Sequence, residues 1–212
     1  MLGDVLLLED KHESAAREIF ALIRDRLTER FVIAISGESG SGKSELTHML
    51  AKVFKENGRR AKPLHIDNYY RIHPLERTQW RMENGIQSVG LGEYDWPTIN
   101  RNLDEFRKGL RAEMPCVDIV TEQVDRLITD FGEVDTLIVD GLYAIQAEDV
   151  DVRVFIDITY HETKKAQLRR GKEPQNEYRA SVLQREHEVV TALKSKADIL
   201  VDREYHAKGK DV

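Results

Sequence analysis

Cysteine is nearly absent: Cys116 is the only one among 212 residues. A single thiol supports neither a disulfide framework nor a cysteine-based metal site, and a reducing cytoplasm suits such a chain. The seven histidines include no pair at metal-ligand spacing. Long apolar runs are missing too. The N-terminal MLGDVLLLED has Asp4 early, no basic leader and a short apolar run, which is neither a signal peptide nor a membrane span. There is no excess of positive charge. A formal net charge of -6 argues against a general nucleic-acid partner, while leaving room for a local basic pocket. Internal repeats, low-complexity stretches and a guanine-reading NKxD are also lacking.

The composition that remains, 41% apolar and 33% charged, is that of a charge-rich globular protein. The length predicts one domain over 1–212. Residues 11–30 read as an amphipathic helix, with Ala15, Ala16, Ile19, Ile23 and Leu27 on one face. Phe31–Ser36 reads as a buried strand, 43–57 as a helix stopped at Gly58, and 61–67 as a second strand. Residues 71–100 look irregular and 98–110 helical. The segment 114–132 fits a hairpin turning near Glu122 and Gln123, or else a helix over 121–131. VDTLIVD (134–140) and VRVFIDI (152–158) are apolar runs of the kind buried in parallel sheets. Helices over roughly 161–170 and 176–196, a last strand at 197–202 and a frayed tail complete the chain. This order predicts an α/β doubly wound, mostly parallel sheet interrupted by a substrate-side insertion at 68–132.

Between the first strand and its helix stands Gly37-Glu38-Ser39-Gly40-Ser41-Gly42-Lys43-Ser44, followed by Glu45. It matches G-x-x-x-x-G-K-[ST] in the strand–loop–helix setting that motif needs. Its glycines let successive N–H groups turn inward, and the helix N-terminus completes an anion nest. Lys43 is then expected to bridge the β- and γ-phosphates of ATP and Ser44 to sit on Mg²⁺. Asp140, ending an apolar strand before Gly141, is suited to hold the same Mg²⁺ through water. Asp67, after the second strand, is suited to accept the proton of an attacking hydroxyl. His65 alternates with Leu64 and Ile66 and reads as a structural or pocket residue rather than a ligand.

GESGSGKS, HIDNYYR, EYDWP and LIVDGLYAI, in this order and spacing, resemble the uridine kinase/phosphoribulokinase family of P-loop small-molecule kinases over roughly residues 30–202. The resemblance implies a three-layer α/β/α kinase with a lid over 161–185. It makes Asp67 the catalytic base, and lets Tyr69 or Tyr70 line the acceptor pocket. Asp95, with Trp96 beside it, would bind acceptor hydroxyls, and Arg169 and Arg170 would reach the phosphates. Three departures stand out. The base-contacting Tyr and His of uridine kinases align with Val117 and Glu122. The lid reads RRGKEPQNEYR, so a third cation is Lys172, Arg179 or neither. The strand-end acid is Asp140, not Glu. The expected activity is ATP- and Mg²⁺-dependent phosphorylation of a small metabolite's hydroxyl. A nucleoside is the first candidate, and a sugar phosphate or vitamin-like alcohol are others. No nucleic-acid or membrane partner is expected, and a homo-oligomer is compatible with the sequence. The competing reading is a nucleotide-dependent switch or assembly protein acting through a protein partner.

Overall fold

The computed structural model describes residues 3–164, 167–168 and 176–210. The expected lid cations Arg169, Arg170 and Lys172 lie outside the described residues. Helix α1 spans Asp10–Ile23 and runs into a 3₁₀ turn over Arg24–Arg26. Strand β1 (Phe31–Gly37) leads through the glycine loop into α2 (Lys43–Glu56) and then β2 (Ala61–His65). After a 3₁₀ turn over Ile66–Tyr69 come α3 (Pro74–Asn84) and α4 (Trp96–Arg107). Strands β3 (Arg111–Asp118) and β4 (Gln123–Asp130) form a separate antiparallel hairpin. Strands β5 (Thr136–Asp140) and β6 (Val152–Ile156), helix α5 (Glu177–Leu193) and strands β7 (Ile199–Val201) and β8 (Ala207–Gly209) follow.

The six-stranded sheet has the order β2-β5-β1-β6-β7-β8. Every neighbouring pair is parallel except β7 with β8. This is the doubly wound α/β sheet that the sequence predicts. Alternation along β1 divides the core. Phe31, Ile33 and Ile35 face α1 and α2, where Ile19, Leu46, Leu50 and Phe54 are buried. Val32 and Ala34 face the other layer, with Leu103, Phe106, Phe131 and Val190. Such side-chain period-two burial is what fixes a strand's register, because a one-residue slip would invert both faces. Truncating a buried residue such as Ile33 to Ala costs about 2–5 kcal/mol.

Two expectations are corrected. Residues 71–100 are not irregular: α3 starts on Pro74, which needs no N–H partner at its helix start, with His73 Nδ1 accepting from the Leu75 amide at 3.3 Å. It escapes the apolar pattern because Arg81 is its only buried residue. Nor is the C-terminal region simply a frayed tail. Ala207–Gly209 pairs with β7, and Tyr205 is 4% exposed. The segment 114–132 is the hairpin, not a helix, with Glu122 at φ 58 closing its turn.

Candidate functional site

The parallel strands β2, β5 and β1 end side by side, and their carboxyl ends deliver the expected site residues to one edge of the sheet. After β1 the loop turns on Gly40 and Gly42, at φ 77 and φ 86, a left-handed backbone that residues with a Cβ adopt at a cost. Ser41 N donates to the Glu38 carbonyl at 3.2 Å, and Lys43 Nζ reaches the same oxygen at 2.8 Å. The lysine is thus folded over the loop it follows. Leu46 N donates to the Gly42 carbonyl at 2.9 Å, so α2 begins at once behind it.

Neighbouring elements hold the loop from outside. The Glu38 carboxylate is buried, accepting from Tyr160 N at 2.6 Å and meeting His187 Nδ1 at 2.7 Å. Thr163 Oγ1 donates to the Ser39 carbonyl at 2.8 Å. From α5, Arg179 Nη2 lies 3.3 Å from Ser39 Oγ, with Glu186 Oε1 3.5 Å from Arg179 Nη1. Of the cations the sequence left open, Arg179 is therefore at the loop. The Tyr205 hydroxyl donates to the Ser41 carbonyl, and the rings of Tyr205 and His12 meet edge to face at 4.9 Å. Sequence reasoning missed both, since neither carries a motif. Glu45 is buried, its Oε1 accepting from Leu7 N at 3.1 Å.

At the end of β5, Asp140 is 3% exposed and its Oδ1 lies 2.5 Å from His65 Nδ1 on the paired strand β2. Burial pulls the His65 pKa down, but the Asp140 charge and hydrogen bond outweigh it and the net is a rise above 6.5. Among the described residues no group of three or more His, Cys, Asp or Glu surrounds a common metal position. A hydroxyl from Ser44 and one carboxylate from Asp140 fit Mg²⁺, which keeps waters and takes phosphate oxygens for the rest of its shell.

Two residues beyond β2, Asp67 stands in the 3₁₀ turn Ile66–Tyr69. The Tyr94 hydroxyl is 3.5 Å from Asp67 Oδ1 and 2.6 Å from the Tyr70 hydroxyl. Burial raises the pKa of both phenols, so both keep their protons at neutral pH. Tyr70 pairs with Tyr94 in an isolated antiparallel bridge, which ties this turn to the segment before α4. Tyr69 turns the other way: it is 2% exposed and its hydroxyl donates to Asn102 Oδ1 at 2.9 Å, inside the core. Asp95 caps α4, accepting from Thr98 N at 3.2 Å and Thr98 Oγ1 at 2.7 Å. Trp96 Nε1 donates to the Leu91 carbonyl at 2.8 Å. Of the four proposed acceptor-side residues, Tyr70 hydrogen-bonds within the Asp67–Tyr94 cluster and Trp96 packs its ring against Tyr94, centroids 5.9 Å apart.

The chain is similar to known proteins in sequence and in fold. A uridine kinase from Deinococcus deserti is 26% identical over 131 residues, 60% of this chain and 61% of that protein. The chain thus spans about three-fifths of the length of this relative, and a uridine kinase from Staphylococcus aureus (strain JH9) gives the same 61%. A structure described as a possible uridine kinase from Bacillus stearothermophilus superposes with a TM-score of 0.63 at 18% identity, covering 90% of this chain and 97% of that one. A D-glycerate 3-kinase from Cryptococcus neoformans gives 0.61 at 14%, covering 95% and 98%. At such identities the likeness is one of fold. The model of the Phosphoribulokinase / Uridine kinase family matches residues 32–203, most of the chain, and the chain belongs to that family.

Proposed function

We propose that the protein transfers the γ-phosphoryl group of ATP to a hydroxyl of a small metabolite. The observation that carries this reading is the meeting of three strand ends: the phosphate loop after β1, Asp140 closing β5 and Asp67 just beyond β2. A donor cradle and a carboxylate base on one sheet edge are what in-line phosphoryl transfer needs. The inward N–H groups of the loop hold the phosphates, and Lys43 swings from the Glu38 carbonyl to the β- and γ-oxygens. Ser44 and Asp140 would hold Mg²⁺, which would supply neutralisation of the phosphate charge. Asp67 takes the acceptor's proton as the acceptor oxygen bonds to γ-phosphorus. The bond from γ-phosphorus to the bridging oxygen breaks, and its electron pair leaves with ADP.

Relatives named uridine kinase make the nucleoside the reference acceptor for an assay. The test is ADP release from a panel of hydroxyl compounds, with Asp67→Asn beside the wild type. General-base removal is expected to lower kcat by about 10²–10⁴-fold, with the affinity for a non-hydrolysable ATP analogue unchanged in calorimetry. Full turnover by Asp67→Asn would remove Asp67 from its role.

A further inference from the structure

Arg77, on α3, lies with its guanidinium carbon 3.8 Å from the centroid of the Tyr70 ring. It is partly buried, and its side chain makes no hydrogen bond or ion pair with any described residue. One turn further along the same helix face, Arg81 shows the contrast. It is held in a bidentate pair by Glu93, at 2.6 and 3.0 Å, with Glu186 at 3.9 Å. The helix thus carries two guanidinium groups toward the site, and among the described residues only that of Arg81 has a carboxylate partner. Arg77 is stacked, its guanidinium N–H donors taken by none of the described residues, on the tyrosine whose hydroxyl is 2.6 Å from that of Tyr94. Tyr94 in turn is the neighbour of Asp67. The field of Asp67 reaches Arg77, though as the least of the influences that raise its pKa against burial.

A stacked, partly dehydrated guanidinium is costly to leave without an anion, and its planar donor set matches a carboxylate or phosphate. The hairpin beside this turn supplies little for a nucleobase. It touches the turn through Val117 N, which donates to Asn68 Oδ1 at 3.1 Å. Residues 111–130 contain no histidine and no aromatic side chain.

We propose that Arg77 anchors an anionic group of the acceptor, so that the favoured substrate is a small alcohol bearing a carboxylate or phosphate rather than an uncharged nucleoside. This rests on the kinase reading above. The anion would sit on Arg77 while the reacting hydroxyl is presented to Asp67, the Tyr70–Tyr94 pair forming the wall between them.

The experiment compares acceptors that differ by the anion alone: glycerate against glycerol, ribose 5-phosphate against ribose, with uridine as the neutral nucleoside. ADP release is followed for wild type, Arg77→Met and Arg77→Lys. The expected result is that one charged member outpaces its neutral twin in kcat/KM, the pair that responds identifying carboxylate or phosphate. Arg77→Met should raise the KM for that acceptor about 10- to 100-fold, Arg77→Lys less, with the KM for ATP unchanged. A circular-dichroism melt of each variant checks its fold, and the wild-type comparison stands without any variant. Uridine or a neutral twin outpacing the charged acceptors would overturn the anion anchor and leave the kinase reading intact. An unchanged acceptor KM in folded Arg77→Met would do the same. ATP binding without turnover of any acceptor would overturn both.

Discussion

Arg179 reaches Ser39: the guanidinium of the third residue of α5 stands 3.3 Å from a hydroxyl of the phosphate loop, joining a helix late in the chain to a loop near its start. Glu186, two turns along the same helix, steadies it at 3.5 Å. Replacing Arg179 with Ala is expected to weaken binding of a non-hydrolysable ATP analogue at least about tenfold, or ~1.4 kcal/mol. Arg179→Lys should recover only part, because an ammonium lacks the planar donor fork. Isothermal calorimetry reads both, and equal affinity in the Ala variant would detach Arg179 from the nucleotide.

The buried pair Arg81–Glu93 predicts a large asymmetry between single and double substitutions. Glu93 is 1% exposed and also accepts from Gly90 N at 2.9 Å. Glu93→Ala leaves a guanidinium buried with its nearest carboxylate gone, and should cost about 3–5 kcal/mol. Arg81→Met combined with Glu93→Leu should restore most of that. Urea unfolding of the three variants measures it; equal losses in single and double variants would contradict the pairing argument.

Behind the phosphate loop, Tyr205→Phe removes one hydroxyl and one hydrogen bond to the Ser41 carbonyl. The expected loss is about 1 kcal/mol, a fall in Tm of about 2–4 °C for a domain of this size. Gly42→Ala should be far worse. A Cβ there meets the Tyr205 hydroxyl, crowds His12 Nε2 at 3.0 Å and must adopt φ +86. Loss of ATP-analogue binding in that variant is the matching readout.

His12 gives the stability a pH slope. Burial lowers its pKa below 6.5, outweighing the opposing charge of Glu45; Lys11 lowers it further and Glu9 raises it. Its Nδ1 accepts from Glu9 N at 3.0 Å, a role that protonation abolishes. The unfolded chain therefore binds the proton more readily than the folded one. The contribution of His12 is complete above pH 6.5 and is lost as the pH falls from there toward the folded pKa. Denaturation midpoints at pH 7.5, 6.5 and about 5.5 should decline in the wild type, and His12→Asn should flatten that part of the decline.

Much of this molecule is written in local patterns. The glycine loop, the apolar strands ending at Gly37 and Asp140, and the hairpin are short-range signals, and each stands where the spacing puts it. What stayed hidden depends on partners far away in sequence. Helix α3 buries Arg81 rather than an apolar stripe, so no periodicity marks it. Tyr69 and Tyr70 are neighbours, and only the 3₁₀ turn sends the first into the core and the second toward Asp67. Asp95, expected as an acceptor ligand, also caps α4, with Thr98 three residues on donating to each of its oxygens. Arg77 carried no signal at all, since its meaning lies in the contrast with Arg81.

The contact between Tyr205 and Ser41 also bears on the order in which the protein is made. It joins positions 164 residues apart, and contacts of long sequence separation form late because a large chain loop must close first. During synthesis, which proceeds from the N-terminus at about 5–20 residues per second, the loop, α2 and β2 emerge long before the tyrosine that backs them. A ribosome stalled short of residue 205 would carry a nascent chain with the whole nucleotide motif and without its rear support. Nucleotide capture by such chains should therefore rise only when the last strands emerge.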